Sequence, residues 1–374
     1  MIRSLATCLA ENWRCLDLAR PPEPSTLRWV VVNGGISIRS KLVCLVWVDG
    51  PLPSFVVKFP RYPAYNGRLT TEYRALEQMQ LYLPGRESMV PRPLLEFQME
   101  GLTVTVETAL TGKLLRSHLR EHPGRHPATL RDLSEFTNWL TSTHVLSSRN
   151  ATPSEFDSLV LDPFKAAQEE LGLSGLETSR IRELYAQAQA LSGHNSLSLV
   201  FNHNDPGTTN VLVNKRGRFA ALIDWESGAW GLPVSDLVYF LARFGFETRG
   251  VGTEDPMRGF RELFFENNTA SAGVLGYSLP REWLASYCQR LGVSLEWLSV
   301  LFCLTWIMHA RNERNHLLGL QAEGQILHGK PAKAEITNVS SKTLQSAHFR
   351  SQLRYYLENL DLSLVARMSG GGLP

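Results

Sequence analysis

The chain of 374 residues carries 38 Lys and Arg side chains against 36 Asp and Glu side chains, for a formal net charge of +2. This near balance argues against nucleic acid or an acidic membrane surface as the main partner, because proteins that bind those surfaces carry a clear basic excess. A hydrophobic content of 43% and a charged content of 20% are typical of a globular protein, and they exclude a disordered or membrane-embedded chain.

The cysteine pattern and the apolar runs indicate the compartment. The five cysteines are widely spaced and form no Cys-x-x-Cys pair, which predicts free thiols in a reducing environment and neither a disulfide framework nor a zinc site. The apolar stretch at the N-terminus is interrupted by Glu11, which argues against a signal peptide. The charge-free run 297–310 is too short to span a bilayer and predicts a buried helix. We therefore expect a cytoplasmic protein.

The first third of the chain has the pattern of a small α+β unit. Residues 4–18 predict an amphipathic helix, and a proline-rich connector follows at 20–24. The runs dense in Val, Leu and Trp, with one helical pattern among them, predict strands 27–32, 41–48 and 54–59, helix 69–83, and strands 94–97 and 102–107. Asp49-Gly50 is a typical hairpin turn between the second and third strands. We therefore predict five antiparallel strands with one helix inserted after the third.

After Gly112 the pattern becomes mainly helical. The candidate helices are 128–147, 178–193, 234–244, 257–267, 280–291, 294–317 and 343–360. Two short strands, 211–213 and 219–223, interrupt these helices. The polar stretch 321–342 predicts a loop. The sequence thus predicts an N-terminal α+β part followed by a larger helical part.

The most informative segment is 199–213, which contains the spacing His203-x-Asp205-x-x-x-x-Asn210 and is followed by an apolar strand that ends in Asp224. Transfer of a phosphoryl group needs a carboxylate that receives or orients the acceptor hydroxyl, and oxygen ligands that hold Mg²⁺ against the nucleotide phosphates. Asp205 suits the first role, and Asn210 with Asp224 suits the second. The alternative is that Asp205 and Asn210 only cap a turn, as these residue types commonly do.

A lysine and a glutamate in the N-terminal part complete this pattern. Lys58 stands inside the apolar run 56–59, where an unpaired charge is costly. On the following helix, Glu72 shares a face with Leu76 and Met79. Burial of the two charges as a pair that also meets phosphate oxygens is reasonable, whereas burial of either charge alone is unfavourable. The alternatives are an edge-strand lysine that reaches solvent and a helix glutamate exposed to water.

A glycine-containing turn, residues 33–37, precedes the lysine strand. Its residues Gly34, Gly35 and Ser37 suit a turn that covers phosphates, because glycine lets backbone N–H groups approach phosphate oxygens closely. An ordinary hairpin turn is the alternative. The chain has no Gly-x-x-x-x-Gly-Lys-[Ser/Thr] segment, which excludes a P-loop enzyme.

Together these residues resemble the set shared by aminoglycoside phosphotransferases and choline kinases, which belong to the protein-kinase-like superfamily. The members of the set are Lys58, Glu72, His203-x-Asp205-x-x-x-x-Asn210 and Ile223-Asp224. The segment 231–237 matches the family's segment after the metal-binding aspartate, in which Asp236 is expected to brace the catalytic loop. His144 is expected to be structural. The resemblance runs from about residue 27 to about residue 245, with weaker agreement beyond.

The resemblance implies an α+β, bilobal protein-kinase-like fold. Its N-terminal lobe has a five-stranded antiparallel sheet and a helix, and its larger C-terminal lobe is mainly helical. The implied domains are 1–26, the N-terminal helix and connector; 27–107, the nucleotide-binding lobe; and 108–374, the lobe with the catalytic loop, metal site and acceptor site.

The resemblance also implies a role for each site residue, with ATP and Mg²⁺ as cofactors. Lys58 is expected to contact the nucleotide phosphates, Glu72 to hold that lysine, and Gly34, Gly35 and Ser37 to cover the phosphates. Glu107 is expected to begin the hinge that binds adenine. Asp205 is expected to act as the catalytic base, and Asn210 and Asp224 are expected to bind the metal ion. Three departures stand out. Asn204 replaces a common glycine, Trp225 stands where protein kinases have phenylalanine, and the glycine-containing turn has fewer glycines than the loop of a protein kinase. None of them removes a catalytic group.

The acceptor is the open part of the prediction. Residues 240–340 carry ten Lys and Arg and ten Asp and Glu side chains, and this balance does not favour a polycationic acceptor such as an aminoglycoside. The aromatic side chains of this region fit a sugar pocket, but their helical spacing favours a buried core. His309, Arg311, Arg314 and His316 lie on one helical stretch, which favours a solvated basic face and leaves an anionic acceptor open.

We therefore predict an ATP- and Mg²⁺-dependent kinase that transfers the γ-phosphate of ATP to a hydroxyl of a small molecule, such as a sugar, an aminoglycoside-like compound or an amino alcohol. One alternative is a kinase that phosphorylates Ser or Thr of a peptide in natural-product biosynthesis. The other is a nucleotide-binding scaffold without turnover. We expect neither a nucleic-acid nor a membrane partner.

Overall fold

The computed structural model describes residues 2–18, 21–33, 40–83, 85, 87–123, 126–192, 197–265, 278–328 and 348–369. Contacts within the chain define two compact units, here called the first unit and the second unit. The first unit comprises residues 1–121 and 203–229, and the second unit comprises residues 122–202 and 230–374. The predicted domain boundaries after residues 26 and 107 stay a prediction.

The strands are β1 (Arg28–Asn33), β2 (Lys41–Trp47), β3 (Phe55–Pro60), β4 (Pro93–Met99), β5 (Leu102–Thr108), β6 (Lys113–Leu114), β7 (Arg149–Asn150), β8 (Ser198–Asn202), β9 (Val211–Val213), β10 (Phe219–Leu222) and β11 (Ala229–Gly231). In the first unit, β1 to β5 form one antiparallel sheet in the order β1-β2-β3-β5-β4. The five predicted strands are thereby confirmed, nearly at their predicted bounds.

The helices are α1 (Ile2–Glu11), α2 (Asn66–Gln80), α3 (Leu115–Glu121), α4 (His126–Asp132), α5 (Ser134–Ser147), α6 (Pro153–Phe156), α7 (Asp162–Glu170), α8 (Gly175–Ser192), α9 (Ser235–Gly245), α10 (Arg258–Phe264), α11 (Ser278–Leu291), α12 (Leu298–His328), α13 (His348–Glu358) and α14 (Leu364–Ser369). None of them is both long enough and apolar enough to span a bilayer. The helix inserted after the third strand is confirmed as α2.

One face of the sheet packs on the N-terminal helix α1. Because successive side chains of a strand point to opposite faces, Val57 of β3 lies on this face together with Cys44, its partner in β2. Both pack in a buried apolar cluster with Leu5 and Leu9 of α1. The predicted helix over 4–18 is wrong beyond Glu11, where α1 ends and the chain continues in turns.

The other face of the sheet packs on α2 and carries charged residues. Lys58 in β3 is paired with Val43 of β2 and Thr105 of β5. It therefore shares a face with Lys41, two residues before Val43, and with Glu107, two residues after Thr105. Helix α2 turns Leu69, Glu72, Ala75, Leu76 and Met79 toward the interior. The antiparallel register therefore brings two lysines and a glutamate under the helix that carries Glu72.

The first unit is completed by residues 203–229, which follow a long segment of the second unit in the chain. Strands β6, β9 and β10 form a second antiparallel sheet in the order β10-β9-β6. β9 and β10 confirm the two short strands predicted at 211–213 and 219–223. The loop before β9 carries Asp205, and the segment after β10 carries Asp224. The pairing of β9 with β10 therefore helps to position both aspartates.

The second unit is mainly helical and is built around α12. Leu298, Phe302 and Trp306 at its N-terminal end are fully buried, which confirms the buried helix predicted for 297–310. The helix continues to His328, so the predicted loop is wrong for residues 321–328. Residues 329–342 of that predicted loop lie outside the described residues. Strands β7, β8 and β11, which form a sheet in the order β11-β8-β7, were not predicted as a sheet.

The basic stretch of α12 is partly engaged within the second unit. Arg311 donates two hydrogen bonds to the carboxylate of Glu170, at 3.0 and 3.1 Å. The His309 ring stacks on Tyr239 with 4.2 Å between the ring centroids. The predicted solvated basic face is therefore wrong for His309, which is packed in an aromatic cluster, whereas the ion-paired Arg311 side chain is still 31% exposed.

Candidate active site

Lys58 is buried between two carboxylates. Its Nζ lies 2.6 Å from Oε1 of Glu72 and 2.7 Å from Oε1 of Glu107, and all three residues are at most 5% exposed. The predicted pairing of Lys58 with Glu72 is thus present, and Glu107 adds a second carboxylate from β5. Burial disfavours the charged lysine, but Glu107 and Glu72 outweigh that effect and raise its pKa above the usual value.

A second lysine, Lys41, extends this charge cluster from Glu72 to Asp224 and Glu226. Lys41 Nζ lies 2.7 Å from Oε2 of Glu72 and 3.2 Å from Oε2 of Glu226, and it also contacts Oδ1 of Asp224. Glu72 therefore offers one oxygen to each lysine. Arg68 binds the outer side of Glu226 at 2.7 Å. The result is a continuous row of alternating charges from Glu107 to Asp224.

Two carboxyl groups at the ends of this row have shifted pKa values of opposite sign. Burial raises the pKa of Glu107 to about 7, against the opposing effect of Lys58. Burial also acts to raise the pKa of Asp224, but Lys41 and Lys58 outweigh it and lower that pKa to about 2. Asp224 is therefore an anion at any physiological pH, whereas Glu107 titrates near neutrality.

Glu107 makes the stability of the first unit depend on pH. A carboxyl whose pKa is higher in the folded state contributes stability that is complete below its unfolded value, near 4.5, and is lost as the pH rises through about 7. We expect Glu107→Gln, which cannot ionise, to remove this loss. Between pH 5 and pH 8 the wild type should lose roughly 2 kcal/mol of unfolding free energy relative to the variant.

Urea denaturation at the two pH values measures this difference. Glu100→Gln, at an exposed position of the turn between β4 and β5, is the matched control and should show the pH dependence of the wild type. A Glu107→Gln variant that loses stability with pH as steeply as the wild type would show that Glu107 is ionised throughout this range.

The segment with the His-x-Asp spacing forms a tight loop that holds Asp205 and Asn210 together. The Asn210 side-chain amide donates to the backbone carbonyl of Asp205 at 2.8 Å and to its carboxylate Oδ2 at 3.1 Å. The backbone N–H of Asn210 donates to Gly207 O at 2.9 Å. The predicted catalytic aspartate and one predicted metal ligand are therefore in direct contact, and Asn210 also closes the turn, which was the alternative interpretation.

His203 joins this loop to the segment that carries Asp224. Its Nδ1 accepts a hydrogen bond from the backbone N–H of Asp205 at 3.2 Å, which assigns the ring proton to Nε2. Nε2 lies 2.9 Å from the carbonyl of Ile223, to which it donates. The Ile223 N–H in turn donates to the carbonyl of Asn210 at 3.0 Å. The buried imidazole thus fixes Asp205 relative to the residue that precedes Asp224.

Two residues of this region have left-handed backbone conformations. Asn204 has φ 64° and Asp224 has φ 68°, a region in which asparagine, aspartate and glycine are tolerated best. The conformation explains why asparagine can replace the family's common glycine at 204. Its side-chain amide also donates to the carbonyl of Ser227 at 2.8 Å. At the next departure, Trp225 is buried, and its indole N–H donates to Leu222 O at 3.1 Å.

The turn after Asp224 packs directly on helix α2 and leaves no room for a side chain. A Cβ at Gly228 would lie 2.8 Å from the Cβ of Ala75 and 3.1 Å from the carbonyl of Trp225. We expect Gly228→Ala to lower the unfolding free energy by about 2 kcal/mol, as overpacked substitutions do. Thermal unfolding measures this effect.

Gly67→Ala is the control for that substitution. Gly67 lies on α2, and a Cβ there would meet no atom within 4 Å. Alanine also favours a helix more than glycine does, so this variant should be as stable as the wild type or slightly more stable. Equal melting temperatures for both alanine variants would contradict the close packing of the turn on α2.

The remaining predicted site residues, Gly34, Gly35 and Ser37, lie outside the described residues. The segment after Glu107 is described, and its first two amides are engaged within the fold. Thr108 N–H donates to Arg92 O at 3.0 Å, and Ala109 N–H donates to Ser54 O at 3.1 Å.

His144 and Asp236 face each other inside the second unit. His144 Nε2 lies 3.6 Å from Oδ2 of Asp236, and its Nδ1 lies 2.6 Å from the Tyr287 hydroxyl. That hydroxyl accepts from the backbone N–H of Val234, at 3.2 Å. Val234 has φ 74°, which is strained for a β-branched residue. The histidine and the tyrosine thus hold the start of α9, while the predicted bracing role of Asp236 stays a prediction.

The donor set near Asp224 fits a hard divalent cation. Mg²⁺ prefers oxygen ligands from carboxylates and amides, and the Asn210 and Asp224 side chains supply both types. The carboxylate oxygens of Glu72, Asp224 and Glu226 also lie within 4.8 Å of one another. Asp224 belongs to both groups, so a metal ion bound by either group would have Asp224 among its ligands.

The sequence does not indicate that Lys41, Glu226 and the side chain of Glu107 belong to this charge cluster. Lys41 begins a strand and resembles an exposed strand end, although its two-residue offset from Val43 places it on the face of Lys58. Glu226 follows Asp224 by two residues in a polar turn. The sequence places Glu107 only before the hinge and does not indicate the contact of its side chain with Lys58. Alternation along β5 is the signal that places Glu107 and Thr105 on one face.

Comparison with known families identifies the class of protein. A family model described as "Phosphotransferase enzyme family" (APH) matches residues 35–269, which is more than half of the chain. The chain belongs to this family. The predicted kinase-type phosphotransferase class and the α+β, protein-kinase-like fold class are thereby confirmed.

Solved structures with similar folds include three phosphotransferases. Aminoglycoside phosphotransferase APH(3'')-Id from Streptomyces rimosus is 13% identical, with 71% of this chain and 86% of that chain covered and a TM-score of 0.40. Macrolide 2'-phosphotransferase type I is 14% identical, with coverages of 77% and 88% and a TM-score of 0.40. Plasmodium vivax ethanolamine kinase is 14% identical, with coverages of 87% and 84% and a TM-score of 0.40. No curated protein sequence matches the chain significantly.

Proposed function

We propose that the protein transfers the γ-phosphate of ATP to a hydroxyl group of a small molecule in a Mg²⁺-dependent reaction. The single observation that carries this proposal is the contact between Asp205 and Asn210 in a loop that His203 fixes to the Asp224 segment. In the reaction, the bond between the γ-phosphorus and the bridging oxygen of ATP breaks, and a bond between phosphorus and the acceptor oxygen forms. ADP leaves, and the acceptor proton passes to the carboxylate of Asp205.

The residues around this loop have complementary proposed roles. Asn210 and Asp224 would hold Mg²⁺, which when bound neutralises charge on the phosphates. Lys58 would contact the α- and β-phosphates while Glu72 holds it in place. Gly34, Gly35 and Ser37 would cover the phosphates. Because the backbone N–H groups of residues 108 and 109 are already engaged, any N–H donor in the proposed adenine contact of the hinge that begins at Glu107 comes from a later residue.

The proposed acceptor is a small molecule with low net charge. Its support is the equal number of acidic and basic side chains in residues 240–340, which does not favour a polycation. Aromatic side chains of this region such as Phe264, Trp297 and Trp306 are buried in the core, so they support no aromatic acceptor pocket. The acceptor hydroxyl itself, in a sugar or an amino alcohol, is the group that the Asp205 carboxylate requires.

A transfer assay tests the proposed function. The protein is incubated with Mg²⁺ and ATP labelled in the γ-phosphate, with a neutral sugar panel, an amino-alcohol panel, an aminoglycoside panel and a Ser/Thr peptide library as acceptors. Slow ATP hydrolysis, in which water replaces the acceptor, is recorded in parallel. We expect Mg²⁺-dependent hydrolysis and labelling of a small molecule. Labelling of peptides alone, or nucleotide binding without any hydrolysis or transfer, would replace the proposal by one of the two alternatives.

A further inference from the structure

Lys41 occupies the position of a cation among three carboxylates. Its Nζ contacts Glu72, Asp224 and Glu226, and the carboxylate oxygens of these residues are spaced as ligands around a single ion would be. The Lys41 side chain is only 13% exposed. Its ammonium group thus supplies the positive charge that these carboxylates need inside the fold.

We propose that Lys41 is a resident counter-cation that competes with the metal ion for the carboxylates of Asp224, Glu72 and Glu226 and leaves Asp224 when the metal binds. This inference rests on the proposed function, because it takes Asp224 as a metal ligand. In this proposal Lys41, a residue of β2 outside the expected catalytic set, controls the affinity for the metal ion.

The distribution of charge distinguishes this role from a structural ion pair. Glu72 already has a buried partner, since Lys58 binds its other oxygen at 2.6 Å. Glu226 likewise binds Arg68, at 2.7 Å, so what Lys41 adds is chiefly neutralisation of Asp224. An ammonium and a divalent cation that both contact Asp224 repel each other, so each weakens the binding of the other to this carboxylate.

The chemistry of lysine also suits a cation that moves. A lysine carries a compact charge on a flexible four-carbon stem, whereas an arginine presents a rigid planar fork. Lys41 begins β2, and its backbone is fixed by antiparallel pairing with Pro60. The side chain can therefore rotate away from Asp224 while the strand stays in place.

Binding of Mn²⁺ in the absence of nucleotide tests the inference, with electron paramagnetic resonance as the readout. We expect Lys41→Met, which keeps the length of the side chain without its charge, to bind Mn²⁺ at least about tenfold more tightly than the wild type, since a close charge shifts ion binding by a decade or more. Arg68→Met removes a second cation that pairs with Glu226, from a side chain that is 45% exposed. It should change the affinity less than about threefold, because exposed pairs contribute little.

Equal or weaker Mn²⁺ binding by Lys41→Met would overturn the inference, because Lys41 would then support Asp224 as a ligand instead of competing for it. The substitution also leaves three carboxylates facing one another, so the variant is destabilised when no metal is present. If it fails to fold, Mn²⁺ should restore its circular dichroism spectrum and raise its melting temperature more than that of the wild type. Failure of Mn²⁺ to restore the fold would likewise contradict the competition.

The outcome is separable from that of the proposed function. A protein that transfers phosphate from ATP, but whose Mn²⁺ affinity does not respond to Lys41→Met, keeps the proposed function and loses this inference. A protein that neither hydrolyses ATP nor transfers its phosphate, but binds Mn²⁺ more tightly as Lys41→Met, loses the proposed function and keeps a lysine-controlled metal site.

Discussion

Replacement of Glu72 by glutamine should lower the free energy of opening of the first unit by about 3 kcal/mol, because removal of one member of a buried ion pair leaves charge that the interior does not compensate. Glu72 is 1% exposed and binds Lys58 through one oxygen and Lys41 through the other. The variant retains the shape of the side chain, so the loss reports charge and not a cavity. Each lysine keeps another carboxylate, which places the expected loss at the lower end of the range for buried pairs.

Hydrogen exchange of peptides from β2, β3 and α2, followed by mass spectrometry, measures this local free energy without the assumption that both units unfold together. Glu77→Gln is the matched control on the same helix. Glu77 is exposed and pairs with Arg74 at 2.6 Å, an arrangement that contributes less than about 1 kcal/mol. If both variants exchange at the rate of the wild type, the cluster under α2 makes no net contribution to stability.

Replacement of Asp205 by asparagine should reduce kcat by about a hundredfold to ten-thousandfold, the usual contribution of a positioned general base. An asparagine side-chain oxygen can still accept the hydrogen bond from the Asn210 amide, so the loop keeps its form while the proton acceptor is lost. Affinity for nucleotide should stay close to the wild-type value because, in the proposed roles, Asp205 faces the acceptor and Lys58 faces the phosphates.

The slow hydrolysis of ATP and the transfer to the best acceptor both report this effect, and titration calorimetry reports nucleotide binding. Asp255→Asn, which changes an aspartate paired with Arg261 in the second unit, controls for the substitution type and should leave kcat unchanged. An Asp205→Asn enzyme that retains more than a tenth of the wild-type kcat would remove Asp205 from the role of base and leave it as a residue that shapes the loop.

The sheet of the first unit was predictable because each of its strands has a local signal. Runs of Val, Leu and Phe alternate with turns such as Asp49-Gly50, and Gly50 has the left-handed φ of 79° that such a turn requires. The short strands β6, β7 and β11 contain two or three residues and, unlike the Val-Leu-Val of β9, no run of β-forming residues, so no sequence pattern reveals them. They form because tertiary structure places their backbones side by side.

The candidate site was predictable only where charge and chemistry coincide with a local pattern. A lysine inside the apolar run of β3 and a glutamate on the inner face of α2 imply each other, because each is costly to bury alone. Lys41 and Glu226 have no such signal. They meet because the strand register and the return of the chain after residue 203 bring them together, and both are properties of the tertiary fold.

The charge cluster under α2 also has an order of assembly that follows from sequence separation. Lys58 and Glu72 are 14 residues apart, whereas Lys41 and Asp224 are 183 residues apart. Closure of the longer loop costs about 2 kcal/mol more in chain entropy. It also requires that residues 122–202, which belong to the second unit, have already been synthesised. During synthesis, the lysine–glutamate pair can thus form on a chain that has not yet reached Asp224. The Asp224 end of the cluster is therefore completed last, after both parts of the chain that make up the first unit have been synthesised.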